Sequence, residues 1–276
     1  MTLLMIWQRH WNRQNNEKKR KTLVVITIVL LLLIMCCIGA LIVRNHIRTK
    51  KMMEVYQGMK VTWYGDSLTQ LYYHCQIVDN YFGFVGHNSG VNNTLITCIN
   101  DGSMCVPIRM QFGDKEDIPS DSAIIFVMAG VNDWIHSIPI GDVQKTFEDT
   151  QKGILTDDTF AGACNQMFYY LRELYPNAQI IVLGTHFADG TYAKLFDGAG
   201  GIYNKQGLTS VEYGDVLCEV AQLWGIDNIN IGRELSWDSG NIMEYCIDGI
   251  HFNQEKGSVE AAKVIIKFMK KLNGVM

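Results

Sequence analysis

Several things are missing from this 276-residue chain, and each omission narrows what it does. There is no Cys-x-x-Cys pair and no His-rich spacing, so a structural zinc site is not expected, and nothing calls for a metal or other cofactor. No internal repeat, low-complexity tract or long linker interrupts residues 60–276, which read as one domain. That domain is also short of basic residues. Residues 1–51 hold ten of the 24 Lys/Arg and one of the 28 acids, so the remainder has 14 basic against 27 acidic residues, a net charge of about −13. Nucleic-acid binding draws mainly on Lys and Arg neutralising phosphates, so an acidic body argues against such a partner. The formal charge of the whole chain, −4, conceals this division.

Charge is missing altogether from Thr22 to Val43, a run of 22 residues. That is about the length that spans ~30 Å of hydrocarbon as a helix, so the run reads as a transmembrane segment. A cleaved signal peptide normally has a shorter apolar core (~7–15 residues) followed by a small-x-small cleavage site, which is not evident here. A buried core helix would rarely be so uniformly apolar. Six Lys/Arg precede the run (Arg9, Arg13, Lys18, Lys19, Arg20 and Lys21) and four follow it (Arg44, Arg48, Lys50 and Lys51). The denser basic flank expects a cytoplasmic N-terminus and an extracytoplasmic body. The organisation is then a basic segment 1–21, a membrane helix 22–43, a juxtamembrane linker 44–59 and a folded domain 60–276. Cys36 and Cys37 fall in the span. The other six cysteines permit disulfides, with Cys98–Cys105 the favoured pair, or free buried thiols.

The domain is built around Lys60-Val61-Thr62-Trp63-Tyr64-Gly65-Asp66-Ser67, a strand that stops at a glycine and presents a serine beyond it. Further strands are expected at 122–128, 179–183 and 228–231, and an apolar run at 81–85 ends before Asn88. Helices are expected over 68–78, 159–175, 210–224 and, capped by Asn253, 254–272. Strands alternating with helices imply a parallel sheet covered on both faces, where ligands bind at the carboxyl ends of the strands. Residues 97–121 and 187–209 read as insertions that shape a site.

A serine hydroxyl needs a base within hydrogen-bond reach. His251 is the candidate, with Asp248 three residues earlier to orient its ring and stabilise the imidazolium. Acyl transfer also develops an oxyanion that needs fixed donors. The backbone N–H of Ser67, the backbone of Gly90 and the side-chain amide of Asn132 each follow an expected strand and can converge there.

Gly65-Asp66-Ser67-Leu68, Gly90, Gly130-Val131-Asn132-Asp133 and Asp248-Gly249-Ile250-His251 resemble, in order and at compatible spacing, the four blocks of the GDSL, or SGNH, hydrolases. The second block is the looser match, since Asn93 stands where the family often has another glycine. The resemblance covers roughly residues 60–272. It implies a three-layer α/β/α, flavodoxin-like domain with a parallel sheet and serine esterase or acyltransferase chemistry without metal. Carried onto this chain it implies Ser67 as nucleophile, His251 as base, Asp248 as orienter, and Ser67, Gly90 and Asn132 as the oxyanion hole. The rival Gly-x-Ser-x-Gly elbow would need glycine where Thr69 stands.

His186, after the fourth strand, is a candidate for substrate contact, although a structural histidine fits as well; His74, His87 and His136 read as structural. Tyr192, Phe196 and Tyr203 can stack on a sugar or pack a lid. The expectation is a membrane-anchored esterase acting on a short acyl ester of a carbohydrate or cell-surface glycan. An acyltransferase using the same site, or a surface binding module that keeps the fold without activity, is the alternative.

Overall fold

A computed structural model describes residues 2–98, 120–192 and 201–275. The chain divides into two compact units, residues 1–52 with 274–276 and residues 53–273. Helix α1 (Thr2–Tyr56) is continuous through the expected linker. Arg, Lys, Met and Glu, good helix formers, supply seven of the 13 residues from 44 to 56, and neither Gly nor Pro occurs there to break the helix. Within α1 the stretch Leu30–Tyr56 is long and apolar enough to cross a membrane by length and composition. Its apolar side chains from Leu30 to Val43 are exposed.

The second unit is a five-stranded sheet of β1 (Lys60–Gly65), β2 (Val85–Asn88), β3 (Ile124–Met128), β4 (Gln179–Gly184) and β5 (Asp227–Asn230). The strands are all parallel and lie in the order β2-β1-β3-β4-β5. This is the flavodoxin-like order, which reverses direction at β1 and opens a crevice between the carboxyl ends of β1 and β3. Residues Ile124–Met128 are buried throughout, as expected of a central strand covered on both faces. Across the β1/β3 ladder Trp63 pairs with Phe126, and their rings stack with centroids 4.0 Å apart.

The flanking helices are α2 (Ser67–Leu71), α3 (Tyr73–Phe82), α4 (Val131–Ile135), α5 (Val143–Gln151), α6 (Phe160–Leu174), α7 (Ser210–Leu223), α8 (Ile231–Glu234), α9 (Ile242–Tyr245) and α10 (Gly257–Leu272). They gather in two groups, α3 against α10 and α5, α6 and α7 against one another. Thr159 and Thr209 cap α6 and α7 through their hydroxyls, and α7 carries a full capping box with Glu212.

Two expectations are corrected. The single helix over 68–78 is broken at Tyr72, whose φ of 64° is left-handed, so α2 ends and α3 starts in a new direction. The last helix begins at Gly257, not Gln254, after a turn in which Asn253 Oδ1 accepts from the Lys256 and Gly257 amides. Cys75, Cys164, Cys218 and Cys246 are buried free thiols, while the Cys98–Cys105 pairing involves a residue outside those described. Most of the 97–121 insertion is likewise outside them, as is Phe196 in the second insertion.

Candidate active site

The residues that close β1 decide where the serine sits. At Gly65 a Cβ would come within 2.2 Å of both the Met128 carbonyl and Thr69 Oγ1, so only glycine lets the strand end this close to β3 and α2. Asp66, in extended conformation, caps α2 by accepting from the Leu68 amide at 3.0 Å. Ser67 is therefore the first residue of a helix, where backbone N–H groups have no helical acceptor.

The base arrives from a tight loop ahead of α10. Cys246 and Phe252 form an antiparallel bridge across it, and the Ile247 amide donates to the His251 carbonyl. Gly249 turns inside that loop with φ +82°, and a Cβ there would meet the Asp189 carbonyl at 2.4 Å. Phe252 anchors the loop from below. It is buried against His74, His186 and Trp237, with ring centroids 5.5, 4.6 and 5.5 Å away. The adjacent His251 is thus held by packing as well as by hydrogen bonds.

His251 Nε2 stands 2.9 Å from Ser67 Oγ, and its Nδ1 stands 2.7 Å from Asp248 Oδ2. Asp248 Oδ1 accepts from the amides of His251 (2.7 Å) and Ile250 (3.0 Å). A carboxylate on Nδ1 requires the proton there, which leaves Nε2 as acceptor for the serine hydroxyl. The bond to Asp248 raises the proton affinity of His251, and partial burial opposes it less strongly. For Asp248, burial pushes the carboxyl up, but the donors from His251 and the Ile250 amide together hold it below its ordinary value.

The other side of the crevice carries the candidate oxyanion donors. Gly130, with φ +110°, turns the chain from β3 into α4 and brings Asn132 to the same edge. Asn132 is buried and donates through Nδ2 to the Thr94 carbonyl at 2.9 Å. The loop bearing Thr94 is pinned by buried Asp133, which accepts from the Ile96 amide, the Thr97 amide and Thr97 Oγ1. Gly90 packs against α2 so closely that a Cβ would meet the Gln70 amide at 2.4 Å. Its own amide, however, is engaged, donating to Asn88 Oδ1 at 2.9 Å, while Asn88 Nδ2 donates to the Gln70 carbonyl. Gly90 reaches a substrate oxygen only by sharing or exchanging that bond.

His186 differs from the expectation of a substrate contact. Its ring is fully buried between Trp237 and Phe252, and burial pushes its pKa down to about 3. It packs on Phe252, in the loop that carries His251. His74 is buried in the same aromatic cluster and pushed down to about 4. Thr94 and Phe252 were not singled out from the sequence, and Asn88 stood out only as the start of the stretch Asn88-Ser89-Gly90. Asn88 acts through its side-chain amide on the backbone of Gly90 and Gln70, and Thr94 through its backbone carbonyl, relations that appear only in the folded loop, whereas Phe252, beside the candidate base, carried a readable apolar signal. Among the described residues no group of three or more His, Cys, Asp or Glu is placed to hold a metal ion.

Neither the protein-family models nor the curated proteins give a match to this chain. Solved structures do. A "possible lipase" from Chitinophaga pinensis is 16% identical over 79% of this chain and 100% of its own, with a TM-score of 0.56. A GDSL-like lipase from Bacteroides thetaiotaomicron is 14% identical over 77% of this chain and 88% of its own, with a TM-score of 0.51. The fold is that of the GDSL lipases. A carbohydrate acetylesterase family member from Sinorhizobium meliloti shares it too, at 14% identity over 78% of this chain and 99% of its own, with a TM-score of 0.52. The share of this chain covered, 77–79%, is close to the share that residues 60–276 make up.

Proposed function

We propose that the GDSL-type domain is a serine ester hydrolase acting on a short acyl ester of a carbohydrate or cell-surface glycan. The observation that carries the reading is the relay from Ser67 Oγ to His251 Nε2 at 2.9 Å and from His251 Nδ1 to Asp248 at 2.7 Å. In the first half-reaction Ser67 Oγ bonds to the ester carbonyl carbon and its proton passes to His251 Nε2. The carbonyl oxygen becomes an oxyanion held by the Ser67 amide and Asn132 Nδ2, with Gly90 joining as its amide exchanges Asn88 for the substrate. Collapse breaks the C–O bond to the alcohol, which takes the proton from His251. Water then repeats the sequence on the acyl-enzyme and releases the acid. A sugar hydroxyl in place of water would make the same site an acyltransferase.

Two further observations support a sugar as the alcohol portion. Tyr192 is 42% exposed, and it lies so close to Gly249 that a Cβ on Gly249 would be 3.2 Å from the tyrosine Cβ. An exposed aromatic face beside the catalytic loop suits stacking on a pyranose ring. The carbohydrate acetylesterase family member noted above shares the fold.

The pH dependence tests the base. Attack needs neutral His251, and the bond to Asp248 raises its proton affinity. Hydrolysis of a short acetyl ester should therefore fall as pH drops, with its midpoint above the ordinary imidazole value of about 6.5. A midpoint in the carboxylate range would remove His251 from that role.

The apolar part of α1 is read as an uncleaved anchor, with the N-terminus cytoplasmic and the domain outside the cell membrane. The protein should then resist carbonate extraction with its N-terminus intact. Protease added to intact cells should remove the domain and spare residues 1–21. A mature protein that begins beyond Val43 would identify a signal sequence instead. Protection of the domain in intact cells would reverse the topology.

A further inference from the structure

The carboxyl groups of Asp66, Asp79, Asp133 and Asp248 differ in how well their oxygens are met. Asp133 accepts from two amides and a hydroxyl, and Asp248 from two amides and an imidazole. Asp79 accepts from Trp63 Nε1 and from the Tyr72 hydroxyl. Asp66, directly before Ser67, is the exception. Its Oδ1 accepts the cap bond from the Leu68 amide, but Oδ2 is buried with no hydrogen-bond partner among the described residues. The residue is 0% exposed.

A carboxylate taken out of water persists only where its lone pairs are satisfied, and otherwise it takes up a proton. The cap requires only one oxygen, so protonation of the other leaves α2 intact. The charged groups acting on Asp66 are His251, from the loop ahead of α10, and Asp133, from α4. Burial pushes Asp66 up to about 7, with the Leu68 amide and His251 acting against the rise and Asp133 adding to it. The coupling is mutual, because Asp66 is among the groups that raise the proton affinity of His251.

We propose that Asp66 is a positioning residue whose proton is linked to that of His251. Protonated, it caps α2 and keeps Ser67 within reach of Nε2; ionised, it favours the charged imidazolium and so withholds the base. The site then has two carboxyls on one histidine. Asp248, hydrogen-bonded to Nδ1, fixes the tautomer, and Asp66, buried beneath the serine, adjusts the pH at which Nε2 becomes free. The pair titrates in coupled steps, with neither midpoint belonging to one residue alone.

This rests on the reading of Ser67 and His251 as nucleophile and base, but its test does not need turnover. Full-length protein in detergent micelles, labelled with ¹⁵N-histidine and ¹³Cγ-aspartate, reports both groups by NMR. His251 is assigned by the signal lost in His251→Gln, and Asp66 by the signal lost in Asp66→Asn. The Asp66 carboxyl should titrate near neutrality, well above the ordinary value of about 3.9. In Asp66→Asn, which keeps a capping oxygen, the His251 midpoint should fall by roughly one pH unit. Asp66→Ser, an equally good cap, should give the same shift and serves if the first variant does not fold. A purely structural Asp66 would leave the His251 midpoint where it is. That result, or titration of Asp66 in the ordinary aspartate range, overturns the proposal. An inactive wild-type protein would instead sink the hydrolase reading and leave both titrations readable.

Discussion

Ser67→Ala should abolish hydrolysis of short acyl esters, by at least about 10⁴-fold, with little change in melting temperature. The size of the effect follows from the mechanism. In the proposed mechanism Ser67 Oγ bonds to the acyl carbon, and among the described residues no other hydroxyl is hydrogen-bonded to His251. The small stability effect follows from the fold. Asp66, not Ser67, caps α2, so the substitution removes one hydrogen bond to His251, worth about 1 kcal/mol. A purified variant that retains the wild-type rate would remove Ser67 from the chemistry.

Asn132→Ala should lower kcat by roughly 10²–10³, the usual effect of losing one oxyanion donor. One N–H of its amide is committed to the Thr94 carbonyl at 2.9 Å, and in the proposed mechanism the other serves the oxyanion. The loss should fall on kcat with KM nearly unchanged, because the negative charge it meets develops only in the transition state. Since the Thr94 carbonyl loses its donor as well, a stability decrease of about 1–3 kcal/mol should accompany it. An effect confined to KM would assign Asn132 to ground-state binding only.

Much of the architecture could be read from local signals. The apolar run 122–128, free of charge along both faces, reads as a strand buried on both sides, and its residues Ile124–Met128 form β3 at the centre of the sheet. Thr159 and Ser210 marked helix starts that the structure keeps to within a residue. Tyr72 was not legible, because a left-handed tyrosine is set by the packing of α2 and α3 and by its hydroxyl bond to Asp79. The two short helices α8 and α9 were equally hidden, since four residues carry too little periodicity to register.

At the site, the distinction lies between side chains proposed to carry the chemistry and those that hold them. Ser67, Asn132, Asp248 and His251 were readable because their chemistry constrains residue type. The supporting shell was less so. Asn88 occupies the amide of Gly90, a relation between neighbours that only the folded loop reveals. For His186 both readings stood open, because its position after β4 says which edge it is on but not how far its ring is buried. Ser210 accepts from the Ala188 amide and donates to the His186 carbonyl, and this pair of bonds draws the loop inward and buries the ring. Asp66 was visible as part of a motif, yet its bare oxygen is a property of burial.

The most direct measurement is covalent labelling with a fluorophosphonate probe followed by peptide mapping. Such a probe bonds only to a serine whose hydroxyl is activated by a base and whose oxyanion is held, so it tests nucleophile, base and hole together without knowledge of the natural substrate. The account predicts one adduct per chain, on the peptide containing Ser67, absent in Ser67→Ala and strongly slowed in His251→Ala. An unlabelled wild-type protein, or an adduct on any other serine, would contradict it.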